Sequence, residues 1–175
     1  VTDLLAYISE REAPDSIYRT ETLNGAKRTY NDGYLYNINT LNMYSSSEKQ
    51  MNWDLFYPLG FGHITWCADY DNRTTTLSRS IAGIKYFIDS EAQIDESLYE
   101  KIATKNGYTL YSNPSALPFG FLVNDTALDI QSVPTDNLFL YQNDLYHALI
   151  GSSTEDVYTL TDLPVLEENS SLYER

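Results

Sequence analysis

Residues Thr74 to Asp89 read TTTLSRSIAGIKYFID, and two spacings meet within them. Leu77 and Ile81 recur at helical distance, whereas Ile84 to Ile88 is a compact run of β-branched and aromatic residues around Lys85, bounded by Gly83 and Asp89. A short helix feeding a buried strand is the expected structure. Apolar residues at successive positions suit a strand covered on both faces, as in layered α/β and α+β domains. Ile84 to Ile88 is therefore expected as an interior strand, with Tyr86 and Ile88 on one face and Phe87 on the other. An apolar run this short also occurs in buried helices, so the neighbouring segments matter.

Working outward, Val1, Leu4, Leu5 and Ile8 carry the spacing of an amphipathic helix that Pro14 and Asp15 close. Tyr18 to Leu23 reads as a strand. Asn24 to Asn42 is rich in Asn, Gly and Tyr, with turn signals at Asn24-Gly25 and Asp32-Gly33, and is expected as a loop followed by a strand near Tyr36 to Met43. Ser45 and Glu48 have capping-box spacing ahead of a helix starting near Ser46. A strand is expected at Ile64 to Ala68. Ile94, Leu98 and Ile102 suggest a helix ended by Asn106-Gly107. Tyr108 to Tyr111 and Phe119 to Val123 flank Pro114 and Pro118 as two strands. Asp136 is the expected N-cap of a helix carrying Leu138, Tyr141, Leu145 and Leu149, with Gly151 just past its end. This alternation predicts an α/β (or α+β) layered single domain, a mixed β-sheet with flanking helices, over residues 1–151. Residues 152–175, strand-like at Val157 to Leu160 and then acidic, read as the truncated start of a following β-rich region or a tail.

The 175 residues suffice to bury a core without staples. With 25 acidic against 11 basic residues the formal charge is −14, which repels nucleic acid and anionic membrane surfaces, and Lys27-Arg28 is the only adjacent basic pair. Cys67 is alone, so no intramolecular disulfide forms. No apolar run approaches the roughly 18 residues of a membrane span, and no signal peptide is visible.

The motif inventory excludes more than it supports. There is no G-x-S-x-G elbow, Walker loop or G-x-G-x-x-G. Asp69-Tyr70-Asp71 matches the D-x-D that holds a divalent metal in many glycosyltransferases, but Asn72 and Arg73 follow it as in a solvated turn, and no metal is expected there. His63 and Cys67 lack the further ligands of a structural zinc site. No cofactor is expected. The 16 tyrosines are the compositional outlier: Tyr30, Tyr34, Tyr36 and Tyr44 lie among Asn31, Asp32, Asn37, Asn39 and Asn42. Flat rings beside amides and carboxylates suit the apolar face and hydroxyls of a sugar, and they are equally the residues of an ordinary strand and turn. The candidate ligand-binding set is Arg19, Glu21, Asn31, Asp32, Tyr36, Asn39, Tyr44, Ser45 and Ser46. Arg19 and Glu21 also read as a surface ion pair, and Arg79 as a structural anchor.

Four pieces occur in a distinctive order: YRTE at Tyr18 to Glu21, LNMYSSS at Leu41 to Ser47, RSIAGIKYFID ending at Asp89, and YSNPSALPFGFLV at Tyr111 to Val123. Together they resemble the extracellular region of the bacterial YfhO-like multi-pass membrane proteins, over roughly Ile17 to Gly151. The resemblance implies a C-type membrane glycosyltransferase at the extracellular face of the bacterial plasma membrane. Such an enzyme moves a sugar from a polyprenyl-phosphate donor onto a cell-envelope polymer such as lipoteichoic acid. It also implies membrane helices before and after this segment and a catalytic carboxylate near them, so no catalytic residue falls here. The segment is then accessory, by acceptor binding or as structure, with a glycan or teichoic-acid acceptor as its partner. The alternatives are a non-catalytic surface carbohydrate-binding or adhesion module, and a secreted hydrolase lacking a recognisable motif.

Overall fold

The computed structural model describes residues 1–23, 31–44, 56–64, 67–69, 74–91, 94–130, 137–152 and 155–159. Helix α1 (Thr2–Arg11) leads into strand β1 (Arg19–Thr22) and a short helix α2 (Asp32–Tyr36). Strands β2 (Met43–Tyr44), β3 (Gly62–Ile64) and β4 (Cys67–Asp69) follow. Helix α3 (Thr76–Ile81) then enters β5 (Ile84–Asp89), which β6 (Glu100–Lys105) and β7 (Tyr108–Ser112) succeed. A 3-10 turn (Asp125–Asp129) precedes the last described helix, α4 (Leu138–Ile150).

The principal sheet has four strands in the order β1-β5-β7-β6, with β1 parallel to β5 and the other pairs antiparallel. This is the mixed sheet with flanking helices that the alternation predicts. A smaller antiparallel sheet has the order β2-β4-β3.

β5 is interior, and its side chains divide between two cores. Tyr86 and Ile88 pack with Leu110 against Leu4 and Ile8 of α1. Ile84 and Phe87 pack with Tyr99, Tyr111, Leu59 and Phe61, and with Tyr141 and Leu145 of α4. That Ile84 and Phe87 share a core follows from a bulge: Arg19 lies opposite Ile84 but Thr20 opposite Tyr86, so Lys85 is an extra residue that resets the alternation. Arg79 is the structural anchor expected of it, donating to Thr74 Oγ1 (3.2 Å) and to the Tyr99 hydroxyl (3.1 Å).

Six expectations are corrected. Residues 94–105 are a turn and then strand β6, not a helix. The reason is Asn106-Gly107, whose positive φ values (53° and 80°) make a two-residue turn that sets Lys105 opposite Tyr108. Between Tyr36 and Met43 the chain is not a strand: α2 ends at Tyr36, Asn37 turns left-handed (φ 53°), and only Met43 and Tyr44 pair. The strand expected at Ile64 to Ala68 is two, with Gly62 opposite Asp69. Phe119 to Val123 forms no strand, because its flanking amides are held by the helical layer, Leu117 by the Ser80 carbonyl and Asn124 by the Leu149 carbonyl, and not by a strand edge. Finally, Asn137 caps α4, accepting from the Phe139 and Leu140 amides at 3.1 and 3.4 Å, and residues 155–159 form no strand. Asp136, Leu160, the turn at Asn24-Gly25 and the helix near Ser46 lie outside the described residues.

Candidate functional site

β1 is the short edge strand that organises the polar side of the molecule. Its outer edge is closed by the returning segment 39–42: the Thr20 amide donates to the Asn39 carbonyl (2.9 Å) and Asn39 Nδ2 to the Tyr18 carbonyl (3.1 Å). Glu21 on the same strand is 0 % exposed. Its carboxylate accepts from Thr40 Oγ1 (2.7 Å), the Leu41 amide (2.5 Å) and Asn42 Nδ2 (3.1 Å). A carboxylate with this many donors is one of the few ways a charge is tolerated inside a fold. One residue on, Thr22 Oγ1 donates to buried Asp32 at 2.5 Å.

Residues 31–42 are thereby stapled to β1 twice, by Asp32 at their start and by Glu21 at their end. Held between the staples, α2 turns Tyr34 (78 % exposed) and Leu35 (65 %) to solvent, with Asn31, Asn37 and Asn39 also exposed and Tyr36 half-buried. α2 packs tightly on the return, since a Cβ added at Gly33 would sit 3.0 Å from Thr40 Cγ2.

The other end of β1 joins two further stretches that are distant in sequence. The Arg19 guanidinium donates to the Ala82 carbonyl and lies 4.2 Å from the centre of the Phe119 ring. Gly83 has φ 65°, and a Cβ there would meet the Leu117 carbonyl at 3.1 Å. The Leu117 amide donates to the Ser80 carbonyl (3.0 Å), and Asn113 donates from its amide to the Lys85 carbonyl (2.8 Å) and from Nδ2 to the Ile84 carbonyl (3.0 Å). Three of the quoted sequence pieces thus converge on one node. Burial lowers the pKa of Arg19 while the charge of Glu21 opposes that shift, and the guanidinium stays cationic.

Beside the node, Glu12 at the end of α1 accepts from the Tyr86 hydroxyl (2.5 Å) and Ser16 Oγ (3.1 Å) and pairs with Lys85 Nζ (2.5 Å). Desolvation works to raise its pKa, but the hydrogen bonds from Lys85 and Tyr86 and the charge of Lys85 outweigh it and hold the carboxyl below its ordinary range. Tyr86 is pushed upward, by burial first and by Glu12 second.

Of the residues singled out from sequence, the structure brings Arg19, Glu21, Asp32 and Asn39 together around β1. Asn31 and Tyr36 bracket α2 on the same excursion. Glu21 is buried rather than part of a surface ion pair, so it and Asp32 position backbone, while Asn31, Asn39 and part of Tyr36 remain accessible. Tyr44 pairs with Cys67 in the small sheet, and Ser45 and Ser46 lie outside the described residues. Thr40 and Phe119 are contributors that sequence reasoning missed; neither carries a local signal, because each acts on a residue of β1. Among the described residues no group of three His, Cys, Asp or Glu side chains is placed to hold a metal ion. Asp71 is outside them.

Residues 3–173 match the family model described as bacterial membrane protein YfhO. No curated protein and no solved structure matches the chain. No helix among the described residues is long and apolar enough to cross a membrane.

Proposed function

The chain belongs to the YfhO family of bacterial membrane proteins, and from that membership we propose that it is the accessory, acceptor-facing domain of a membrane glycosyltransferase. In this reading the full-length protein takes a sugar from a polyprenyl-phosphate donor and places it on a cell-envelope polymer such as lipoteichoic acid. The present domain lies on the extracellular face and guides the polymer; the reacting carboxylate belongs to the membrane part. The observation that carries the reading is the twice-stapled segment 31–42, in which buried Glu21 and Asp32 hold accessible Tyr34, Tyr36, Asn31 and Asn39 in one place. Preorganised rings and amides reduce the entropy lost when a flexible glycan is bound.

Exposed polar contacts largely exchange one set of hydrogen bonds for another, so affinity per sugar site is expected on the order of millimolar. A domain of charge −14 prefers neutral or alanylated, cationic polymer units to bare polyphosphate. The test is an NMR titration of the chain with teichoic-acid fragments, comparing wild type with Tyr34→Ala and Tyr36→Ala. Shifts clustered on residues 31–42 and weakened in both variants support the reading. Shifts elsewhere, or binding by both variants equal to that of wild type, leave the domain a structural spacer. Sugar transfer or hydrolysis by the chain alone would refute the accessory role.

A further inference from the structure

Phe119 to Val123 departs from its sequence expectation in an informative way: an apolar stretch with strand character joins neither sheet and bends at Phe119 and Gly120 on the surface. The flanking amides are pinned, Leu117 to the Ser80 carbonyl (3.0 Å) and Asn124 to the Leu149 carbonyl (2.9 Å). Between these pins Phe119, Phe121 and Val123 are exposed, and Leu122 is fully so at 101 %. Behind the segment runs a groove of about 510 Å³ between α3 and α4, walled by Leu77, Ile81, Leu117, Leu149, Ile150 and Val157. Among the described residues its lining contains no Asp, Glu, Lys, Arg or His.

A contiguous apolar surface of this kind, in a segment that its pins keep from folding away, marks a contact with something apolar. Charge narrows the choice. The chain carries 25 acidic residues against 11 basic, so a lining without carboxylates among the described residues sets the groove apart, exposed Asp125 and Asp156 lying near Val123 and Val157 in the chain. Within the exposed segment the Phe119 ring lies over the Arg19 guanidinium, a pairing of aromatic and arginine that suits a membrane interface. The family is one of membrane proteins, although no described helix here enters a bilayer.

We infer that this face seats on a lipid bilayer, with Phe119, Phe121 and Leu122 entering the interfacial layer and the groove behind them receiving hydrocarbon. The inference rests on membership of a membrane-protein family and not on the glycan reading of residues 31–42.

The experiment is co-sedimentation of the chain with phosphatidylcholine vesicles, and with vesicles in which phosphatidylglycerol replaces part of that lipid. Lipid is taken to about 10 mM, well above the roughly 0.1 mM at which a single acyl chain partitions. Wild type is expected to bind the zwitterionic vesicles, more weakly as anionic lipid increases. Leu122→Asp and Phe121→Asp, both at exposed positions and checked for fold by circular dichroism, should each bind roughly tenfold more weakly or worse. Tyr34→Ala should bind vesicles like wild type, which separates this face from the glycan segment. Equal partitioning of wild type and both Asp variants, including no binding by any, overturns the inference. So does lipid-independent self-association that Leu122→Asp abolishes, which would assign the face to a second copy of the chain.

Discussion

Glu21→Ala tests the staple that positions the candidate site. The substitution strips three donors of their acceptor at once: Thr40 Oγ1, the Leu41 amide and Asn42 Nδ2, at 2.7, 2.5 and 3.1 Å. Hydrogen bonds to a charged acceptor contribute about 1.5–3 kcal/mol each, but they act as a unit and the freed segment regains some water, so the sum overstates the effect. Leaving buried neutral donors without their acceptor costs about 1–3 kcal/mol each, and with partial rehydration a total of about 3–5 kcal/mol is expected here. Set against a typical stability of about 5–15 kcal/mol, the variant stays folded in water but unfolds at clearly lower urea. Glu21→Gln keeps the shape and one acceptor oxygen while turning an NH₂ toward a donor, and should lose about half as much. The local readout is hydrogen exchange at the Leu41 amide, which should lose protection in Glu21→Ala while the β5 amides follow only the global change. Unchanged Leu41 exchange, or a urea midpoint within about 0.5 kcal/mol of wild type, would refute the claim that Glu21 holds the segment.

Gly83→Ala forces a side chain into a left-handed conformation (φ 65°) and to 3.1 Å from the Leu117 carbonyl, and should lower stability by about 1–2 kcal/mol, read as a melting point reduced by several degrees. Gly107→Ala shares the positive φ (80°) but meets nothing within 4 Å, so its smaller loss isolates the share of the contact. Glu12 has a folded pKa below its unfolded value, so its contribution is complete above the unfolded pKa and is lost as pH falls through the folded one. Urea midpoints measured from about pH 7 to pH 3 should therefore fall more steeply for wild type than for Glu12→Gln. Phe87→Asp places an unpaired carboxylate at a 0 % exposed position of the central strand, at a cost of several kcal/mol, and should abolish the cooperative melt seen by circular dichroism.

Much of the scaffold was legible in the order of residue types. The Ile84 to Ile88 run predicted an interior strand with Tyr86 and Ile88 facing away from Phe87, and α1 follows the spacing of Leu4 and Ile8, both buried. The start of α3 had a readable signal that went unused, a Thr75 and Ser78 pair that forms a reciprocal cap. Residues 94–105 carry an ambiguous signal, because three apolar residues at helical intervals are also compatible with a turn and a strand. An Asn-Gly pair suits a helix end and a hairpin tip alike, and here it is the tip of the β6-β7 hairpin.

The composition and the ordered motif pieces by themselves determined the family and the layered class, since both are properties of the chain read along its length. The roles of individual polar residues were decided only by the tertiary structure. Arg19 finds its acceptor at Ala82, 63 positions away, and Glu21 finds its donors about 20 positions on, at 40–42. Whether a charged side chain meets water or is buried among donors is set by those distant partners, because desolvation and hydrogen bonding act through space, whereas the periodicity that predicts strands and helices acts between neighbours in the chain. The same holds for Phe119 to Val123: their strand character is local, but a strand forms only against a neighbouring strand edge, and the distant Ser80 and Leu149 carbonyls hold the flanking amides against the helices instead.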